Sequence, residues 1–116
     1  MNIRESILNA KVKKLHEVSI NDPSWGVDTL YIKLMNGRER LAFQKAAQQM
    51  KGDDESKIIP FVIIHTVCDA DGNAVFSIDD AEAILNLNGK EIDKLFTASL
   101  KVNGLMDSSV DDSKKN

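Results

Sequence analysis

A chain of 116 residues fits a single domain and leaves little room for a second. Hydrophobic residues at 42% are enough for a core and argue against disorder, but with only 5% aromatic residues that core must come mostly from Ile, Leu, Val and Ala. A net charge of -3, from 15 basic and 18 acidic residues, argues against generic nucleic-acid binding, which needs a basic face to displace phosphate counterions.

The first residues contain no long apolar run, so no secretory signal is expected. Ile3, Ile7 and Leu8 recur at helical spacing and predict a helix over residues 3–10. Lys11, Lys13 and Lys14 form a basic cluster that Glu17 interrupts, and it reads as solvated surface. In Leu15–Ile20, His16, Val18 and Ile20 alternate with Glu17 and Ser19, as expected of a half-buried strand. The segment 21–26 is dense in turn formers and carries the single tryptophan, Trp25. Thr29–Met35 alternates again, with Leu30, Ile32 and Leu34 on one face, so the two runs predict an antiparallel hairpin. Trp25 in the connecting loop either packs back over the sheet edge or forms a contact for a binding partner.

Asn36 with Glu39 three residues later forms a capping-box signal. The helix it opens carries Phe43, Ala46, Ala47 and Met50 and should stop at Gly52. A charged connection, 51–57, follows. Ile58–Cys68 is the most apolar segment, and its length with Ser56 ahead predicts a buried helix holding Pro60 in its first turn. That run is too short to span a bilayer, so no membrane partner is expected. Residues 69–73 read as a turn. Ser77 with Asp80 and Asn88 with Glu91 mark two further helix starts. The first carries Ile84, Leu85 and Leu87, the second Ile92, Leu95, Phe96, Ser99 and Leu100. Gly104 followed by Leu105 predicts a Schellman stop. The expected fold is therefore α+β and predominantly α-helical, with an N-terminal β-hairpin and four to five helices. It comprises a domain over 1–105 and a mobile polar tail over 106–116.

Catalysis needs a positioned base, nucleophile or metal. The one cysteine, Cys68, excludes an internal disulfide and fits a reducing compartment. His65 and Cys68 could share a helix face, with Asp69 beside them, but they supply too few ligands for structural zinc, so no metal, cofactor or catalytic residue is expected. The segment Asp69–Asp80 has the oxygen spacing of an EF-hand loop, with Asp69, Asp71, Asn73, Ser77 and Asp80 at loop positions 1, 3, 5, 9 and 12. Ala74 stands where the loop wants glycine, and Asp80 where it wants a bidentate glutamate. Capping explains Ser77 and Asp80 without calcium. A calcium-responsive or regulatory adaptor using this loop is the alternative reading.

In order and spacing, the chain resembles tail assembly chaperones of long-tailed, lambda-like bacteriophages. The likeness is carried by the Ile3-Arg4-Glu5-Ser6-Ile7-Leu8 helix, by Pro23-Ser24-Trp25-Gly26 between strands and by the helix start Asn36-Gly37-Arg38-Glu39-Arg40. The 67–73 turn ahead of Phe76-Ser77 and the stretch from Leu95-Phe96 to Gly104-Leu105 complete it. The resemblance implies a non-enzymatic protein of the host bacterial cytoplasm, absent from the mature virion. It implies binding to the tape-measure protein, a long, helical, poorly soluble chain, and delivery of the tail-tube protein to it. It also implies self-association and a longer product made by programmed frameshifting. The ending Lys114-Lys115-Asn116 can be encoded as AAA-AAA-AAC, which contains a heptamer on which ribosomes slip back one nucleotide.

Overall fold

The computed structural model describes residues 2–10, 15–50 and 55–105. The basic cluster at Lys11, Lys13 and Lys14, Gly52 with most of the charged connection, and the tail from residue 106 lie outside them. In chain order the elements are α1 (Ile3–Asn9), β1 (His16–Ser19), β2 (Thr29–Ile32), α2 (Gly37–Gln49), α3 (Glu55–Thr66), β3 (Val67–Cys68), α4 (Ala81–Leu85) and α5 (Gly89–Val102). Short 3-10 turns at Pro23–Trp25 and Ile78–Asp80 complete the set, and the architecture is the predominantly helical α+β class expected.

The hairpin forms in the register the alternation requires. Val18 faces Leu30 and Ser19 faces Thr29 across the antiparallel pair. Val18, Leu30 and Ile32 are buried, while Glu17 and Ser19 point to solvent. His16 departs from the expected pattern: it shares the register of Val18 but stands at the strand's open end and is exposed.

A third strand corrects the reading of Ile58–Cys68. The helix ends at Thr66, and Val67–Cys68 pairs antiparallel with Tyr31 and Ile32, giving the sheet order β1-β2-β3. Lys33 N–H donates to the Thr66 carbonyl at 2.8 Å, so β2 claims the carbonyl where the helix stops. Both ends of this segment are apolar and β-branched, and periodicity alone does not separate a buried helix from a buried strand. The helix also starts earlier than Ser56, which lies within it, so Pro60 falls beyond the first turn.

α3 and α5 pack on each other and, with α4, close the core. Ile63, Ile84, Ile92 and Leu95 meet the sheet residues Val18, Leu30, Ile32 and Val67 there, and Ile32, Ile63, Ile84 and Leu95 are fully enclosed. Thr66 and Ser99 lie at the α3–α5 contact, their hydroxyls 2.7 Å apart. Each also reaches a carbonyl of its own helix, Val62 and Leu95 respectively, so neither small polar group is left without a partner.

The caps behave largely as expected. Asn36 with Glu39 forms the expected capping box on α2, and Asn2 with Glu5 forms a further, unexpected one on α1. At the end of α5, Gly104 takes φ +65°, Leu105 N–H donates to the Leu100 carbonyl at 2.7 Å, and Gly104 N–H donates to Lys101 at 3.1 Å. This is the Schellman stop. Glu91 is the exception. Instead of completing the cap on Asn88 it turns inward and is 3% exposed. Its Oε2 accepts from Asn21 N–H at 3.3 Å and its Oε1 lies 2.9 Å from Lys94 Nζ, an ion pair poorly directed for a hydrogen bond. Lys94 also donates to the Ser19 carbonyl at 2.7 Å, so this buried carboxylate ties α5 to the hairpin.

Asn103 forms a second tie. Its Oδ1 accepts from Met35 N–H at 2.8 Å, and its Nδ2 donates to the Lys33 and Ser99 carbonyls at 3.1 Å each. Beside it the Arg40 guanidinium donates to the Asn103 and Gly104 carbonyls at 2.9 and 3.1 Å, covering the orphan end of α5 from α2.

Candidate protein-binding surfaces

α1 is a capped helix with an exposed apolar face. Ile3, Ile7 and Leu8 are 80%, 65% and 63% exposed, and no residue of the helix is buried. Three large aliphatic side chains on one stripe of a short helix are unusual as plain surface. The stripe was legible in the sequence; its exposure was not, because periodicity shows that a face is apolar and not what covers it.

The second surface is a groove of about 550 Å³ between α2 and the α3–α5 pair. One wall is α2, through Phe43, Ala47 and Met50; the other is Phe61, Phe96 and Leu100. α2 buries a single residue, Phe43, whose ring packs 5.0 Å from Phe61, while Leu41 on the same helix is 70% exposed. Ala47, expected in the buried stripe, is exposed at the groove wall. α2 thus lies alongside the core as a separate wall, which leaves the groove open.

His65 and Cys68 do not share a helix face. His65 is exposed, its Nδ1 2.8 Å from the Phe61 carbonyl and its ring centroid 4.4 Å from that of Phe61, the two planes tilted by 46°. Cys68 sits buried in β3, its Sγ 3.6 Å from the Tyr31 carbonyl, and burial pushes its thiol pKa up, which keeps it neutral. Among the described residues no cluster of three or more His, Cys, Asp or Glu is arranged to hold a metal ion, and no helix is long and apolar enough to cross a membrane.

Trp25 is half-buried against the core cluster and lines a hollow of about 420 Å³ with Val27, Val75 and Leu87. Asp22 caps the turn before it, accepting from Ser24 N–H at 2.9 Å and from Asn88 Nδ2 at 3.0 Å. Hydrogen bonds from Ser24, then Asn88, hold the Asp22 carboxyl below the usual range. Trp25→Ala is expected to cost about 2 kcal/mol, below the range for fully buried aromatics because the ring is half-exposed. Urea titration checks the cost. A variant of unchanged stability that loses partner capture would make Trp25 a contact residue instead.

The loop at Asp69–Asp80 uses its carboxylates on its own backbone. Asp69 Oδ1 accepts from Asp71 and Asn73 N–H at 2.9 and 3.0 Å, and the Asn73 backbone bond is the main cause of its lowered pKa. Asp80 Oδ2 accepts from Ser77 N–H at 2.8 Å. The left-handed residue is Gly72, φ +86°, two places before the position an EF-hand needs, and Ala74 instead forms a β-bridge with Cys68. Isothermal titration with millimolar calcium is expected to give no site-specific heat. Micromolar affinity would promote the adaptor reading.

No family model and no curated protein matches the chain. Among solved structures, its fold is similar to that of the bacteriophage HK97 tail assembly chaperone, with a TM-score of 0.50 and 19% identity. The match covers 90% of this chain and 96% of that one, so the shared fold takes in almost the whole domain.

Proposed function

We propose that the chain is a non-enzymatic phage tail assembly chaperone that binds the tape-measure protein, keeps it soluble and promotes assembly of the tail tube around it. One observation carries the reading: a domain that shares its fold with a tail assembly chaperone over 90% of its length leaves Ile3, Ile7 and Leu8 uncovered. Uncovered aliphatic stripes suit a protein whose work is to cover the apolar stripes of another. A long client with repeated helices would collect many such contacts, each weak, and many copies of a small domain would coat it.

The rest of the reading follows from this role. The domain spans 1–105, and the tail 106–116 joins it to the extension of a longer frameshifted product. Both forms act in the host bacterial cytoplasm, associate with each other and with the tail-tube protein, and leave before the virion is complete. The test is co-expression with the long tail gene next to it, followed by pull-down and sedimentation. The expected result is a soluble complex containing several copies of the chain per client. A client that stays insoluble and uncaptured would end the proposal.

A further inference from the structure

We infer that the groove between α2 and the α3–α5 pair seats one helical segment of a partner chain, about two turns long, with an apolar stripe and uncharged flanks. This deepens the client-binding reading and rests on it.

Charge selects the groove and its occupant. Among the described residues that line it none is charged, and Gln44 and Gln48 are the polar ones. The other hollows described carry ionic groups: Lys33 and Glu39 in one, Lys90, Lys94 and Lys101 in another, Asp22 beside Trp25. A charged occupant would lose water in the neutral groove and gain no counter-charge. An apolar stripe loses nothing there.

Backbone chemistry selects a helix. The walls are helix flanks whose main-chain groups are already bonded within α2, α3 and α5. An extended peptide would bring one donor and one acceptor per residue into a groove that offers two amide side chains. A helix arrives with those groups satisfied. The stretch of α2 that lines the groove, Phe43 to Met50, gives a wall of about 12 Å, which matches anchors at i, i+4 and i+7 of a helix of similar length. With Phe43 as its one buried side chain, α2 is the wall that adjusts to anchors of different size.

The probe is a labelled, capped 14-residue peptide with leucine at those three positions on an Ala/Gln background. Its companions are a version with proline at its centre and one with glutamate flanking the stripe. Binding is read by fluorescence anisotropy and helix gain by circular dichroism. The unaltered protein is expected to bind the first at least tenfold more tightly than either companion. Ala47→Glu, at an exposed wall position, is expected to melt like the unaltered protein and to lose at least tenfold in peptide affinity. Equal binding by Ala47→Glu, or by the proline peptide, overturns the inference. So does peptide binding seen only after residues 1–10 are removed, which would make α1, from the same or a second copy, the occupant. If Ala47→Glu still captures the tape-measure protein normally, the groove assignment fails while the chaperone reading stands. If the unaltered protein captures no tape-measure protein, that reading fails.

Discussion

Changing Ile7 and Leu8 together to aspartate is expected to leave the melting temperature unchanged and to weaken capture of a helical client at least tenfold. Both side chains are more than three-fifths exposed, and α1 buries nothing against the domain. Substitutions at such positions usually move stability by no more than about 0.5 kcal/mol. Burying an Ile or Leu against a partner is worth about 1.5–3 kcal/mol each, and about 1.4 kcal/mol already makes a factor of ten. Co-expression pull-down and thermal melts on the same preparations check both halves. Normal capture by the double variant would remove α1 from the binding surface.

The second large effect is on folding. Asn103→Ala should destabilise the domain by about 3 kcal/mol, because it strips partners from Met35 N–H and from the Lys33 carbonyl at a site only 9% exposed. For a domain of this size, that lowers the melting temperature on the order of 15 °C. Asn103→Asp should be no better: it keeps the acceptor for Met35 but loses both donations and places a charge in a nearly dry site. Urea unfolding reads the loss directly. A cost below about 1 kcal/mol would mean that water replaces the amide without penalty.

These two residues also mark how far the sequence could be read. Ile7 sits in a local pattern, and local patterns were legible. The period of two predicted the hairpin, Asn36 with Glu39 predicted the start of α2, and Gly104 with Leu105 predicted the end of α5. Asn103 acts across 68 residues, and nothing near it in the sequence signals that its amide will meet Met35. Glu91 misled for the same reason. Its spacing from Asn88 fits a local cap, but Lys94 and the hairpin at Asn21 draw it inward. Val67–Cys68 departed differently: a buried helix and a buried strand want the same apolar residues, and the choice lay with the free edge of β2.

The candidate surfaces divide along the same line. Both apolar stripes could be read from spacing, yet their openness depends on what the rest of the chain leaves uncovered. Because α2 buries only Phe43, Ala47 and Met50 become groove wall and not core.

The Arg40 clamp fixes where the chain exits. By gripping the carbonyls of Asn103 and Gly104 from α2, it holds the last turn of α5 beside the groove, and Leu105 itself forms part of the groove's rim. Leu105, the last described residue, is therefore held at the doorstep of the cleft. On the proposed reading, the extension of a longer translation product would begin its search for a client already moored beside the proposed client groove. Lengthening the protein would then raise its grip through proximity, with no new surface carved into the domain.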